Sequence, residues 1–300
     1  MKVFITGATG FIGQAIVKRL LTDGHAVTAW VRSPQRAKQQ LGAVQVVDAG
    51  GGEAAMTAAI DPVDAIINLA GESVAGKRWS AAAKKAMWSS RVDTTEMIAR
   101  AIAANPRKRA FVSGSAVGYY GDTHDREVDE RSPPGEGFLA ELCVAWEAAA
   151  RAAESPDTRV CLVRTGLVLG RDGGALGTML PLFKLGLGGR LGDGAQYFPW
   201  IHLADEVGIL AQALVDPAWS GPVNAVAPGI VTNREFTASL GRALHRPAVL
   251  PAPAFALKAV FGEGASALLG GQRAAPRRTV ELGHRFAFAE LDRALADLFG

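Results

Sequence analysis

From residue 2 to about residue 164 the chain alternates short, continuous apolar runs with longer amphipathic stretches. Val3 to Ile5 reads as a first strand, followed by a helix over Phe11 to Asp23 that stops at Gly24. Next come a strand over Ala26 to Val31, a short helix over Pro34 to Leu41, and strands over Val44 to Val47 and Ala65 to Leu69. The periodicity then predicts one long helix over Ser80 to Ala104 and a strand over Ala110 to Ser113. A helix over Phe138 to Glu154 and a sixth strand over Val160 to Arg164 complete the run. Strands buried on both faces read as unbroken Val/Ile/Leu runs, and alternation with helices implies right-handed crossovers on both faces. The expected fold is therefore α/β: a doubly wound parallel sheet of Rossmann type.

Beyond residue 165 this regularity breaks into Gly-rich and Pro-containing segments such as Gly186 to Gly194. Helices are expected over Leu203 to Val215, Asn233 to Leu244 and Phe288 to Phe299. The division is a dinucleotide-binding domain over 1–165, to which some later segments return, and a smaller α+β cap over 166–300. No clean linker separates them, and a distinct C-terminal segment starts at about residue 245.

Composition narrows the function classes. The 300 residues are 49% hydrophobic and 20% charged, an ordinary globular mixture. The 32 Lys and Arg against 29 acids leave a net charge of +3 with no basic run, which argues against a nucleic-acid partner. Cys143 and Cys161 show no metal or disulfide spacing, and no metal site is expected. No apolar stretch approaches the roughly 20 residues of a membrane span, and no signal peptide is visible, so a cytoplasmic protein is expected. A homo-oligomer is left open.

The candidate chemistry starts where the first strand meets the first helix, in Thr6-Gly7-Ala8-Thr9-Gly10-Phe11-Ile12-Gly13. Glycine there permits a tight turn, close approach of backbone to a pyrophosphate, and close helix–strand contact. The helix start adds free N–H groups and a positive dipole end. An NAD site usually carries an acid at the end of the second strand, about 20 residues past the glycines. This chain has no acid between Asp23 and Asp48; it has Arg32-Ser33, suited to the 2′-phosphate of NADP. Leu69, Ala70, Gly71 and Glu72, after the fourth strand, join the expected cofactor site.

These residues resemble the extended short-chain dehydrogenase/reductase superfamily, in its NAD(P)-dependent epimerase/dehydratase branch. The glycine turn, Asn68-Leu69-Ala70-Gly71, Ser113 to Gly121, Arg164 to Gly170, and Gly192-Asp193-Gly194 through Asp205 fall in that group's order. Trp146-Glu147, Gly173 to Leu176, Trp200-Ile201-His202, Pro228 and Gly283 to Phe288 resemble a subfamily labelled only as epimerase-family proteins or nucleoside-diphosphate-sugar epimerases. Its members end in a domain of unknown function, and some have been linked to plastid or cyanobacterial division.

The resemblance implies a Ser/Thr after the fifth strand and a Tyr-x-x-x-Lys pair on the next helix. Ser115 matches the hydroxyl, but Phe138 to Glu147 contains neither Tyr nor Lys. Tyr119 and Tyr120, just past the fifth strand, are the alternative acids, each also readable as an aromatic packed over the cofactor. Arg91 stands where the group has an Asn and is expected at the cofactor's ribose or phosphate, or else in a structural ion pair. Phe198 stands where nucleotide-sugar enzymes carry a phosphate-gripping Arg, which disfavours a sugar diphosphate. Trp79, Trp88, Phe198 and Trp200 would line an apolar substrate site if they converge. The leading expectation is an NADP-dependent oxidoreductase acting on a small carbonyl or alcohol. The alternatives are a non-catalytic, cofactor-sensing regulatory protein, which could relate to cell division, and a nucleotide-sugar epimerase.

Overall fold

The structure, a computed structural model, describes residues 1–74 and 76–300. Strands β1 (Lys2–Thr6), β2 (Ala26–Val31), β3 (Gln45–Asp48), β4 (Ala65–Asn68) and β5 (Arg109–Ala116) form one sheet with two later strands. Those later members are β7 (Thr158–Thr165) and β10 (Gly221–Ala225); between them in the chain come β8 (Leu167–Gly170) and β9 (Trp200–His202). The sheet order is β10-β7-β5-β4-β1-β2-β3, with every pairing parallel. Short strands β6 (Glu127–Val128) and β11 (Arg273–Ala274) pair with each other, and β8 pairs with β9. The chain winds outward from β1 to β3, then restarts at β4 on the other side. That reversal opens a crevice at the carboxyl ends of β1 and β4, where ligands of doubly wound sheets bind.

Helices α1 (Phe11–Thr22), α2 (Pro34–Leu41) and α8 (Leu203–Val215) cover one face, over Val3, Ile5, Ile67 and Val112. Helices α3 (Gly52–Ile60), α5 (Val92–Ala104) and α6 (Phe138–Arg151) cover the other, over Phe4, Ile66, Phe111 and Leu162. Alternate residues of each strand thus feed opposite cores, which is why the strands carry no polar face.

The predicted long helix over 80–104 is two helices, α4 (Ala81–Ser89) and α5, broken at Ser90–Arg91. The break is held from outside: the Ser90 hydroxyl accepts from the Glu72 amide, and Arg91 donates to the Glu72 carbonyl. Helix α3 and strand β10 were absent from the predicted elements. β10 is an edge strand, where Pro222 loses no ladder bond.

Helices α7 (Gly174–Lys184), α9 (Asn233–Ala243) and α13 (Leu291–Phe299) build a separate core around Phe198, Trp200 and Phe236. Between α9 and α13 the chain forms α10 (Ala254–Phe261), α11 (Ser266–Leu269) and α12 (Arg277–Glu281). This stretch ties three loops together. Arg78 donates to the Ala259 carbonyl, Gln272 to the Gly121 carbonyl, and Gln196 to the Leu268 carbonyl. Among the described residues no helix is long and apolar enough to cross a membrane.

Candidate functional site

The glycine turn folds as a surface of main chain. Gly7 has φ 70°, and a Cβ there would lie 2.4 Å from the Leu69 carbonyl oxygen. A Cβ on Gly13 would lie 2.1 Å from the Gly7 oxygen, and one on Gly10 would lie 3.1 Å from it. The loops after β1 and β4 therefore touch, with no room for side chains between them. Gly10 caps α1 in extended conformation without a side-chain bond, and the first turn holds no acid. The first-turn amides thus have neither an intrahelical acceptor nor a cap, which fits a phosphate. The Phe11 ring fixes this helix start by filling space left by Gly170, Gly173 and Gly174.

Thr6 continues the site inward. Its hydroxyl donates to Asn68 Oδ1 at 2.6 Å, and Asn68 Nδ2 donates to Thr95 Oγ1 at 2.7 Å. Thr95 Oγ1 in turn donates to the Arg91 carbonyl at 2.6 Å. This buried chain joins the glycine turn to Arg91 through the end of β4. The Arg91 guanidinium lies over Gly71, where a Cβ would come within 2.9 Å of it, and beside the Trp146 ring at 5.2 Å. Arg91 Nη1 donates to the carbonyls of Glu72 and Met87, and among the described residues the side chain makes no ion pair. Burial lowers its pKa, though a guanidinium keeps its charge.

At the far end of the crevice, Arg32 and Ser33 follow β2 and are exposed. Arg36, in the first turn of α2, is a second exposed cation that the sequence reading passed over; its proximity to Arg32-Ser33 was the available signal.

The β5–β7 side is built of side chains. Ser115 Oγ donates to Glu147 Oε1 at 2.8 Å. Arg164 grips the same carboxylate with two bonds, Nε to Oε1 at 2.7 Å and Nη2 to Oε2 at 2.9 Å. Ser115, Glu147 and Arg164 are each 4% exposed or less. Burial opposes the charge on Arg164, yet the paired Glu147 holds its pKa above the ordinary value. In the sequence Glu147 stands out only as part of a family pattern; its bond to Ser115 crosses from a helix to a strand and leaves no trace in spacing.

Tyr120 and Tyr119 divide here. Tyr120 is fully buried; its hydroxyl donates to Asn224 Oδ1 and accepts from Arg164 Nη1. Burial raises its pKa, against the pull of Arg164. Its proton is therefore spent inside the protein. Tyr119 is half-buried, with its ring 3.5 Å beneath the Arg164 guanidinium. On α6, Leu139 and Cys143 face Gly118, at the spacing of four that a Tyr-x-x-x-Lys pair would need. Burial pushes the Cys143 thiol up to about 12, so it is neutral.

The four aromatic residues do not converge. Phe198 stacks on Phe236 at 4.1 Å and shares a core with Trp200, while Trp79 and Trp88 belong to another cluster under α4 and α6. Each is used by its local core, so the expected apolar lining is not formed. His202, part of the subfamily pattern, accepts from the Ala204 amide and caps α8.

Residues 3–225 match the NAD dependent epimerase/dehydratase family, and residues 252–298 match a domain of unknown function, DUF1731. "Epimerase family protein SDR39U1" of Bos taurus is 44% identical, covering 99% of both chains. "Epimerase family protein MT2273" of Mycobacterium tuberculosis is 44% identical over 98% of this chain and 96% of that one. Among solved structures, human epimerase family protein SDR39U1, crystallised with NADPH, has a TM-score of 0.91 at 41% identity, covering 99% of each chain. A nucleoside-diphosphate sugar epimerase from Corynebacterium glutamicum gives a TM-score of 0.77 at 33% identity, this chain spanning 58% of it. The glycine crevice, the switch in strand order and these full-length likenesses agree: the chain belongs to the NAD-dependent epimerase/dehydratase family, with a C-terminal DUF1731 domain.

Proposed function

We propose that this protein binds NADP(H) along the crevice between β1 and β4 and acts as an oxidoreductase on a small carbonyl or alcohol. The observation that carries the reading is the Gly7–Gly13 cradle, a side-chain-free surface ending on the uncapped start of α1. Gly7, Gly10, Gly13 and the amides of Phe11 and Ile12 would hold the pyrophosphate. Arg32, Ser33 and Arg36 would hold the 2′-phosphate, and the human relative crystallised with NADPH supports that choice.

At the β4–β5 end a bound NADPH would supply a hydride to a carbonyl, with a proton from solvent completing the alcohol, and NADP⁺ would take a hydride from an alcohol as that proton is released. There Ser115 is the hydroxyl beside the reacting oxygen. Its proton goes to Glu147, so it presents lone pairs and orients an alcohol by accepting its hydrogen bond. A carbonyl oxygen is polarised only once that hydroxyl turns away from Glu147.

A second reading, a cofactor sensor without turnover, is favoured by Leu139 and Cys143 at the two places facing Gly118. Leu139 carries no proton to give, and the buried Cys143 thiol is a weak acid whose pKa burial pushes up to about 12. Titration separates the readings. NADPH should bind at least about tenfold more tightly than NADH, and Arg32→Ala should remove most of that preference. Equal affinities would overturn the NADP assignment. Saturable NADPH binding without oxidation or reduction of any member of a broad carbonyl and alcohol panel would overturn the oxidoreductase reading in favour of the sensor.

A further inference from the structure

The ion pairs around the β4–β5 end leave one charge over. Glu72, on the loop after β4, directs its carboxylate to Lys77 at 3.5 Å. Glu147 is taken by one edge of the Arg164 guanidinium, through Nε and Nη2. The neighbouring Cys143 is a neutral thiol, and Trp146 and the Met87 carbonyl are uncharged. Among the described residues no carboxylate lies within ion-pair distance of Arg91; its charge is met by two carbonyl dipoles, an indole face and the more distant carboxylate of Glu72. A half-buried cation left in this state is unusual, because leaving a charge out of water without a counter-ion is costly. The site keeps it, and holds it by a rigid chain from Thr6 through Asn68 and Thr95.

The direction of the crevice says what this cation meets. With the 2′-phosphate at the end of β2 and the pyrophosphate at the β1–α1 turn, the remaining half of a dinucleotide runs over β4 toward β5. It then passes the loop at Gly71, against which the Arg91 guanidinium packs in the space a Cβ would fill. The nicotinamide ring is neutral when reduced and carries a positive charge when oxidised. A fixed, unpaired cation in a partly dry site repels the oxidised ring and leaves the reduced one untouched.

We propose that Arg91 makes this site select the reduced cofactor over the oxidised one, so that occupancy reports the NADPH/NADP⁺ ratio. The inference rests on the cofactor reading above and sharpens it: selective retention of NADPH suits a sensor or a reductase that loads its donor before its substrate. It applies whether or not turnover occurs.

The test is equilibrium binding, by calorimetry on the full chain, of NADPH and NADP⁺ to the wild type, Arg91→Lys and Arg91→Met. The wild type should bind NADPH about tenfold or more tighter than NADP⁺. Arg91→Lys, which keeps the charge, should preserve the preference. Arg91→Met should bring the two affinities together, mainly by tightening NADP⁺. Melting curves without cofactor establish that each variant is folded; should the methionine variant not fold, Arg91→Gln takes its place. Equal wild-type affinities overturn the proposal while leaving the cofactor reading intact. So does an unchanged ratio in a folded, charge-free variant. If neither dinucleotide binds the wild type, the cofactor reading falls and takes this inference with it.

Discussion

Where β1 meets β4 the crevice is main chain, cleared of side chains by Gly7, Gly10 and Gly13. Where β5 meets β7 it is a packed set of charged and aromatic side chains gathered on Arg164. The first surface recognises by exclusion, since any added atom meets a carbonyl within about a bond length of contact. The second recognises by a network in which each group holds another. A backbone surface leaves few substitutions open, whereas a network can be rebuilt with different residues as long as its charges balance. The contrast explains how this chain keeps the cofactor half of its family while Leu139, Cys143 and Glu147 line the helix that the family pattern gives to Tyr and Lys.

The sharpest way to break the contrast is Gly13→Val. Its Cβ would fall 2.1 Å from the Gly7 carbonyl oxygen, so the turn must open or the helix must move. We expect complete loss of saturable NADPH binding together with a lower melting temperature. Retained binding would show that the turn is not the cradle.

The next largest effect belongs to the network. Glu147→Ala leaves the Arg164 guanidinium buried without its carboxylate, which costs on the order of 3–5 kcal/mol of stability. Urea unfolding at constant pH measures it. Glu147→Gln, which keeps the shape and some of the bonds, should cost less. If the alanine variant is as stable as the wild type, Arg164 is compensated elsewhere and the network picture fails.

A third prediction concerns another buried glutamate, Glu206. Glu206 is fully buried on α8, takes one bond from the Thr165 hydroxyl, and has no partner on Oε2. Burial pushes its pKa up from 4.5 to about 8, the Thr165 bond opposing only weakly. The folded state thus holds a proton that the unfolded chain releases near pH 4.5. Its contribution to stability is full below that pH and is lost as the pH rises through about 8. Unfolding free energy should therefore fall by a few kcal/mol across this window, at up to ~1.4 kcal/mol per pH unit. Glu206→Gln, neutral throughout, should flatten the slope; an unchanged slope would place the titration in another group.

How much of this could be read from residues alone follows the same division. The strand runs, the ends of β2 and α2, and the glycine turn were legible because each is set by local pattern and backbone need. The break at Ser90–Arg91 was not: residues 80–104 carry one continuous helical pattern, and the break is marked by long-range bonds to Glu72 that the pattern does not show. The pairing of Ser115 and Arg164 with Glu147 was hidden because its members lie on two strands and a helix. The aromatic residues misled for a related reason: Trp79 and Phe198 look alike in a sequence, but nothing there says that each faces a different core.

The smallest expected effect tests where the network ends and the cleft begins. Tyr120→Phe removes one hydroxyl that bridges Arg164 Nη1 and Asn224 Oδ1. Both partners stay buried and lose a bond, so the cost is about 1–3 kcal/mol of stability. Because that hydroxyl points into the protein, NADPH affinity should not change. Tyr119→Phe keeps the ring beneath Arg164 at 3.5 Å and removes a hydroxyl with no hydrogen bond among the described residues, so its cost should stay within about 0.5 kcal/mol. Melting curves and NADPH titrations of the two variants side by side make the comparison. If Tyr120→Phe leaves stability untouched but changes cofactor affinity, its hydroxyl faces the cleft, and the β5–β7 network reaches the ligand more directly than its buried bonds indicate. If Tyr119→Phe is the variant that alters affinity, the tyrosine nearer the solvent is the one that meets the cofactor, and Arg164 acts as the platform that holds its ring.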